Sequence, residues 1–134
     1  MPPAAATGFR AAVESRDIDA FAEHLSPDVV FHSPAVFHPY VGRETVEALL
    51  RLVFVTFEDF HYTDELDQGD DTTALIFRAK AGGKELEGMD LVRIGDDGLI
   101  ADFTVMIRPL SGLIALAQEL GPKVEAAGLK ATPT

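Results

Sequence analysis

The sequence predicts an α+β fold in a single domain, with helices first and a curved β-meander after them. Three observations carry that reading. Apolar residues recur every three or four positions up to Phe57, then every second position from Glu58 to Arg108. Turn glycines fall between the alternating stretches, at Gly69, Gly82-Gly83 and Gly98. The alternating stretches are long for strands, which favours a strongly twisted sheet with helices packed on one face.

Taken in order, residues 1–6 read as a Pro- and Ala-rich lead-in. Thr7 is expected to cap a helix that carries Phe9, Ala12 and Val13 on one side and ends near Ser15. Asp17 caps a second, with Ile18, Phe21, Ala22 and Leu25 on one face and Pro27 as its stop. Asp28–Ser33 reads as a short strand closed by Pro34. The segment Pro34–Gly42 holds Val36, Phe37, His38 and Tyr40, too apolar for a plain surface loop, and reads as the lip of a pocket. Gly42 opens the best helix, with Val46, Leu49, Leu50, Val53, Phe54 and Phe57 at helical spacing. Leu52 and Val55 lie off that stripe, so this helix should be nearly buried or flanked by a partner chain.

Four strands follow: one from Glu58 with Phe60, Tyr62 and Leu66 alternating, then Thr73–Ala81, Lys84–Ile94 and Leu99–Arg108. Pro109 stops the last, and Ser111 caps a final helix, Gly112–Leu120, ended by Gly121-Pro122. The domain is therefore placed at 1–122, with 123–134 as a flexible tail.

Composition narrows the function classes. At 134 residues the chain buries a sizeable core, and 47% apolar with 25% charged residues is the balance of a globular protein. A net charge of −11 opposes phosphate backbones and anionic lipid surfaces, so neither nucleic acid nor membrane is an expected partner. The absence of cysteine excludes disulfides, thiol nucleophiles and thiolate metal sites. No basic-then-apolar leader is visible, and a cytoplasmic location is the expectation. The four histidines are scattered without ligand spacing, there is no Gly-x-Ser-x-Gly elbow and the glycines do not form a phosphate loop. No metal and no cofactor are expected.

The residue that needs explaining is Asp90. Along Lys84–Ile94, Leu86, Gly88, Asp90, Val92 and Ile94 share one face, apolar but for that carboxylate. On the neighbouring strand Phe103, Val105 and Ile107 share a face, while Asp102, Thr104 and Arg108 share the other. An acid on such a face must be paired, hydrogen-bonded or protonated. Arg10, Arg43, a loop histidine and backbone amides are the partners open to it.

The order α-α-β-α-β-β-β-β-α resembles the NTF2-like superfamily, and within it the SnoaL-like and ketosteroid-isomerase-like families. The resemblance rests on SRDIDAFAEHLSPDVVFHSP, YVGRETVEALL and ELEGMDLVRIGDDGLIADF, and spans about residues 8–108. It implies a cone, in which a curved antiparallel sheet wraps the helices around an apolar cavity. It also implies a homodimer through the outer sheet face, here Met89, Leu91, Ile100 and Met106.

The isomerase residues themselves transfer poorly. The family's base before the first-strand proline falls at Ser33, and its two pocket tyrosines fall at Phe9 and Leu50. Only the oxyanion-binding aspartic acid has a counterpart, Asp90. His38, with Tyr40 close by, is the candidate to supply what Ser33 does not, while His24 and His61 fall on polar faces and read as solvated. The residues expected to line the cavity are Phe9, Phe31, Ser33, Leu50, Phe54, Val92, Phe103, Val105 and Ile107.

The function that follows is binding of a small apolar or aromatic molecule, with cofactor-independent acid–base chemistry of isomerase, cyclase or hydratase type if the protein is an enzyme. Asp90 would then donate to a developing oxyanion, assisted by His38 or Tyr40. The alternatives are a non-catalytic carrier or sensor, and a structural homodimer whose cavity is filled by its own side chains.

Overall fold

The computed structural model describes residues 4–69 and 71–131, with the side chains of 4–7 and 18 left aside. The expected Thr7 cap, the Asp70 turn residue, the Ile18 side chain and the last three tail residues lie in whole or part outside that description. Four helices and six strands are seen among the described residues, in the order α1 (Ala4–Glu14), α2 (Ile18–Ala22), β1 (Leu25–His32), β2 (Tyr40–Val41), α3 (Arg43–Thr56), β3 (Glu58–Gln68), β4 (Thr72–Ala81), β5 (Lys84–Ile94), β6 (Ile100–Arg108) and α4 (Leu110–Ala126). The sheet runs β2-β1-β6-β5-β4-β3, curved and unclosed.

The meander β3–β6 is antiparallel as expected. Its turn at Gly82-Gly83 joins β4 to β5 with Ala81 opposite Lys84, and both glycines have positive φ (55° and 79°), the geometry of a two-residue hairpin. The sheet is not antiparallel throughout, however. β1 returns beside β6 in parallel, with Phe31 opposite Phe103.

Several boundaries differ from the sequence reading. α1 begins at Ala4, so Thr7 lies within it. Asp17 does cap α2, accepting from the Ala20 amide at 3.1 Å, but α2 ends at Ala22 and Leu25 already belongs to β1. Pro27 therefore sits inside a strand, between Leu25 and Val30 where the register with β6 shifts and a missing N–H does no harm. Tyr40–Val41, read as loop, pairs with β1.

α4 departs most. It starts at Leu110 rather than after Ser111, passes through Gly121-Pro122 and continues to Ala126. Its second half is held by tertiary contact. Lys123 Nζ donates to Thr56 Oγ1 at 2.9 Å, and Val124, Leu129 and Ala131 pack against the core where a flexible tail was expected.

The core lies on the concave face. At its closed end Phe9, Phe21, Leu25, Val29, Phe31, Val46, Val92, Ile100 and Phe103 pack together. A second cluster, Phe77, Ala79, Ala81, Leu86 and Leu116, joins α4 to β4 and β5. Gly88 is part of this design: a Cβ there would lie 2.2 Å from Phe77 Cζ, so the ring covers β5 only because residue 88 has no side chain. Ile100 is fully buried, not on the outer face. Register slips between Arg93 and Ile94 against β6, and one extra residue moves Ile100 to the other side of the sheet.

Candidate active site

Between the two clusters the cone is not filled. A cavity of about 350 Å³ opens between α1, α3, α4 and the concave sheet. Phe9 and Val13 wall it from α1, Leu50, Val53 and Phe54 from α3, and Leu113, Leu116 and Leu120 from α4. Its volume lies in the range of pockets that enclose small organic molecules.

Asp90 stands on the floor. It lies opposite Leu75 on β4 and Val105 on β6, and is 6% exposed. Arg10 is committed elsewhere, to Glu65 at 2.8 Å and Glu14 at 3.4 Å. Among the described residues no hydrogen bond or ion pair reaches the Asp90 carboxyl. Burial, with nothing to offset it, raises its pKa from 3.8 to about 8. At neutral pH the group is therefore mainly a carboxylic acid, able to donate a hydrogen bond as well as accept one.

Tyr62 on β3 shares the cavity wall. Burial raises its hydroxyl pKa well above the ordinary value, and the nearby Asp90 and Glu14 add to the rise against the opposing effect of Arg10, whose guanidinium lies 5.4 Å from the ring. The phenol stays protonated throughout the physiological range. The cavity wall thus offers two neutral donors among mostly apolar side chains.

His61 also reaches this wall, beside Phe60 and Tyr62. Three consecutive residues cannot share a face of a regular strand. β3 is not regular there: Asp59 has φ of 54°, and register with β4 slips on both sides of His61-Tyr62. The imidazole Nδ1 lies 3.0 Å from the Asp59 carbonyl, which can only accept, so Nδ1 donates there. His24, also read as solvated, is instead half-buried against α1, its ring 2.4 Å from where a Cβ on Gly8 would stand.

Of the residues singled out from sequence, Asp90, Phe9, Phe31, Ser33, Leu50, Phe54, Phe103, Val105 and Ile107 line the cavity. Val92, His38 and Tyr40 do not. Val92 shares its face with Asp90 but is sealed in the closed end at 0% exposure. Tyr40 is buried on β2 with its ring 6.4 Å from Phe31, and His38 stands against Phe37 with its Nδ1 buried and unpaired. The loop that carries them meets the cavity only at its start, where Pro34 and Ala35 line it beside Ser33, while Tyr40 and Val41 pair with β1 and extend the sheet. Tyr62, which like Tyr40 is open from sequence to placing its hydroxyl in the cavity, does line it; His61, Phe57, Phe60 and Phe77 are lining residues that the sequence pattern did not assign to a site. No group of three or more His, Asp or Glu side chains is placed to hold a metal ion among the described residues. No helix described is long and apolar enough to cross a membrane.

Residues 6–103 match the SnoaL-like domain model. The chain belongs to the SnoaL-like family. Its fold is that of the NTF2-like superfamily, as its likeness to solved structures shows. A steroid delta-isomerase from Pseudomonas aeruginosa is 38% identical, with 95% of this chain and 93% of that one covered at a TM-score of 0.87. A cystatin-like-fold protein from Silicibacter pomeroyi is 28% identical over 94% and 89%, also at 0.87. An NTF2-like protein of unknown function from Cytophaga hutchinsonii shares the fold alone, at 19% identity, 78% and 88% coverage and a TM-score of 0.62. No curated protein matches the sequence.

Proposed function

We propose that this SnoaL-like protein encloses a small apolar or aromatic molecule in its cone and acts on a carbonyl of that molecule by acid–base chemistry without a cofactor. The observation that carries the reading is the Asp90 carboxyl, buried on the wall of a mostly apolar chamber with no partner among the described residues. An unpartnered acid there lowers stability at neutral pH, and a ligand oxygen that accepts its proton supplies the missing hydrogen bond. As negative charge develops on that oxygen, the hydrogen bonds from Asp90 and Tyr62 strengthen, which is the condition for accelerating an enolisation. His61, whose ring is anchored through Nδ1 to the Asp59 carbonyl, is the base this reading assigns at the wall in place of Ser33. Likeness to a steroid delta-isomerase supports a ketone as the first substrate class to try.

Native mass spectrometry of protein purified from cells tests occupancy, and a co-purified small molecule is the expected result. Asp90→Asn keeps a donor and should retain binding of a ketone ligand, whereas Asp90→Leu should weaken it by about tenfold. Equal affinity in all three forms sinks the role of Asp90. The rival reading is a carrier, favoured by serine at the position of the family's base. Turnover that falls at least about a hundredfold in His61→Ala supports the enzyme, and ligand binding with no turnover in the parent protein supports the carrier.

The outer sheet face is proposed as a homodimer interface. Met106 is 53% exposed there, beside half-exposed Met89, Leu91 and Ile76, after Ile100 is removed from the set. Light scattering should give twice the 14.4 kDa chain mass, and Met106→Asp should return it to one.

A further inference from the structure

The Schellman turn that ends α1 places an arginine where glycine is the usual residue. The Arg16 amide donates to the Val13 carbonyl at 3.1 Å and the Asp17 amide to the Ala12 carbonyl at 2.8 Å, with Arg16 at φ of 60°. Nothing in this turn needs a long side chain, and the left-handed conformation disfavours one. The consequence of having one is positional. The Arg16 guanidinium lies 6.0 Å from the Phe54 ring centroid, and both residues line the cavity.

Position, more than charge, makes Arg16 distinct. Arg10, Arg51, Arg78, Lys80 and Arg108 each hold a carboxylate, whereas Arg16, like Arg43, Lys84, Arg93, Lys123 and Lys130, forms no ion pair among the described residues. Arg16 is also the one lysine or arginine among the described residues of the cavity wall. Glu14, the nearest acid in sequence on that wall, is engaged by Arg10 at 3.4 Å. His61, exposed, and Ser33, half-buried, are further polar groups on that wall. Arg16 is exposed while Asp90 is buried, so the cation stands at the mouth and the acid at the floor.

We propose that Arg16 is an anion-recognition residue, and that the ligand class is an amphipathic acid whose apolar or aromatic body fills the cone while its carboxylate or sulfonate meets the guanidinium at the mouth. This deepens the reading of the cavity given above and rests on it. The net charge of −11 does not forbid it, since screening limits repulsion to about 8–10 Å at physiological salt and a contact pair acts within that distance. Cation–π contact with Phe54 holds the guanidinium against apolar surface, where a bidentate anion contact is strongest.

The test uses two fluorescent probes with the same anilinonaphthalene body, the anionic 1-anilinonaphthalene-8-sulfonate and the neutral N-phenyl-1-naphthylamine. The parent protein should bind the anion about fivefold more tightly at low salt, and added salt should shrink that preference. Arg16→Gly should abolish the preference and leave the neutral probe's Kd unchanged. The same variant should melt at the same or a higher temperature, because glycine suits the turn, which separates lost recognition from lost folding. Arg16→Lys should keep part of the preference. Equal affinities in the parent protein, or a preference that survives Arg16→Gly, overturn the assignment while leaving the cavity reading intact. An anionic probe that the neutral one cannot displace is bound outside the cone, and also overturns it. Failure of both probes to bind removes the cavity reading, and this inference with it.

Discussion

Val92 and Asp90 occupy the same face of the same strand, one pleat apart, and meet opposite fates. Val92 is sealed beneath Phe9, Phe31 and Phe103 in the closed end, while Asp90 looks into an unfilled chamber. Nothing in β5 itself distinguishes the two environments. The difference comes from what packs above. Aromatic side chains from α1 and β1 close over the first position, whereas at the second α3 and α4 stand back and leave the cavity. A strand face supplies inward-pointing positions, and the layer opposite decides which of them become core and which become floor.

Exchanging the two chemistries gives the largest expected effect. Val92→Asp puts a carboxyl where no space or partner exists, and should destabilise the protein by about 4 kcal/mol or more, read as loss of the cooperative unfolding transition at neutral pH.

Asp90→Asn should act in the opposite sense and in a pH-dependent way. The folded-state pKa of about 8 lies above the unfolded value of 3.8, so from about pH 4 upward the unfolded chain releases a proton that the folded chain keeps. Stability contributed by this group is complete below pH 4, falls by up to about 1.4 kcal/mol per pH unit, and levels above pH 8. Asp90→Asn should remove that slope, and denaturant titrations at pH 5, 7 and 9 read it directly. A parent protein whose stability is flat between pH 5 and 8 means the acid is paired or hydrated.

Gly88→Ala probes the wall between the chamber and the second cluster. Its methyl meets the Phe77 ring, which is buried and has little room to retreat, so a loss of about 1–3 kcal/mol is expected together with a changed cavity shape. The smallest effect is expected outside the chamber. His38→Ala should leave affinity for any cavity ligand within about twofold of the parent, because His38 does not line that space. A large loss would mean that the loop closes over the opening.

Much of this was legible from residue pattern. Alternation put Asp90 and Phe103 on the inner face, helical spacing put Phe9, Leu50 and Phe54 toward it, and Gly82-Gly83 marked the hairpin. The misreadings share a cause: each occurs where the local period is broken by something distant in sequence. A register slip moved Ile100 inward, and the irregularity of β3 around Asp59 brought His61 to the same wall as Phe60 and Tyr62. Pairing with β1 drew Tyr40 away from the mouth. Contacts with Thr56 and the core carried α4 past a Gly-Pro pair that would end an isolated helix.

The sequence by itself determined the order of elements apart from the two-residue strand β2, the side of the sheet on which an acid would be hidden, and the apolar character of its neighbours, because these follow from periods of 3.6 and 2. Only the tertiary structure decided that Asp90 faces the cavity instead of a counter-ion, that His61 rather than His38 lines that cavity, and that Arg16 reaches the opening. Those outcomes depend on strand register and on how closely helices approach the sheet, which are set by packing between distant segments.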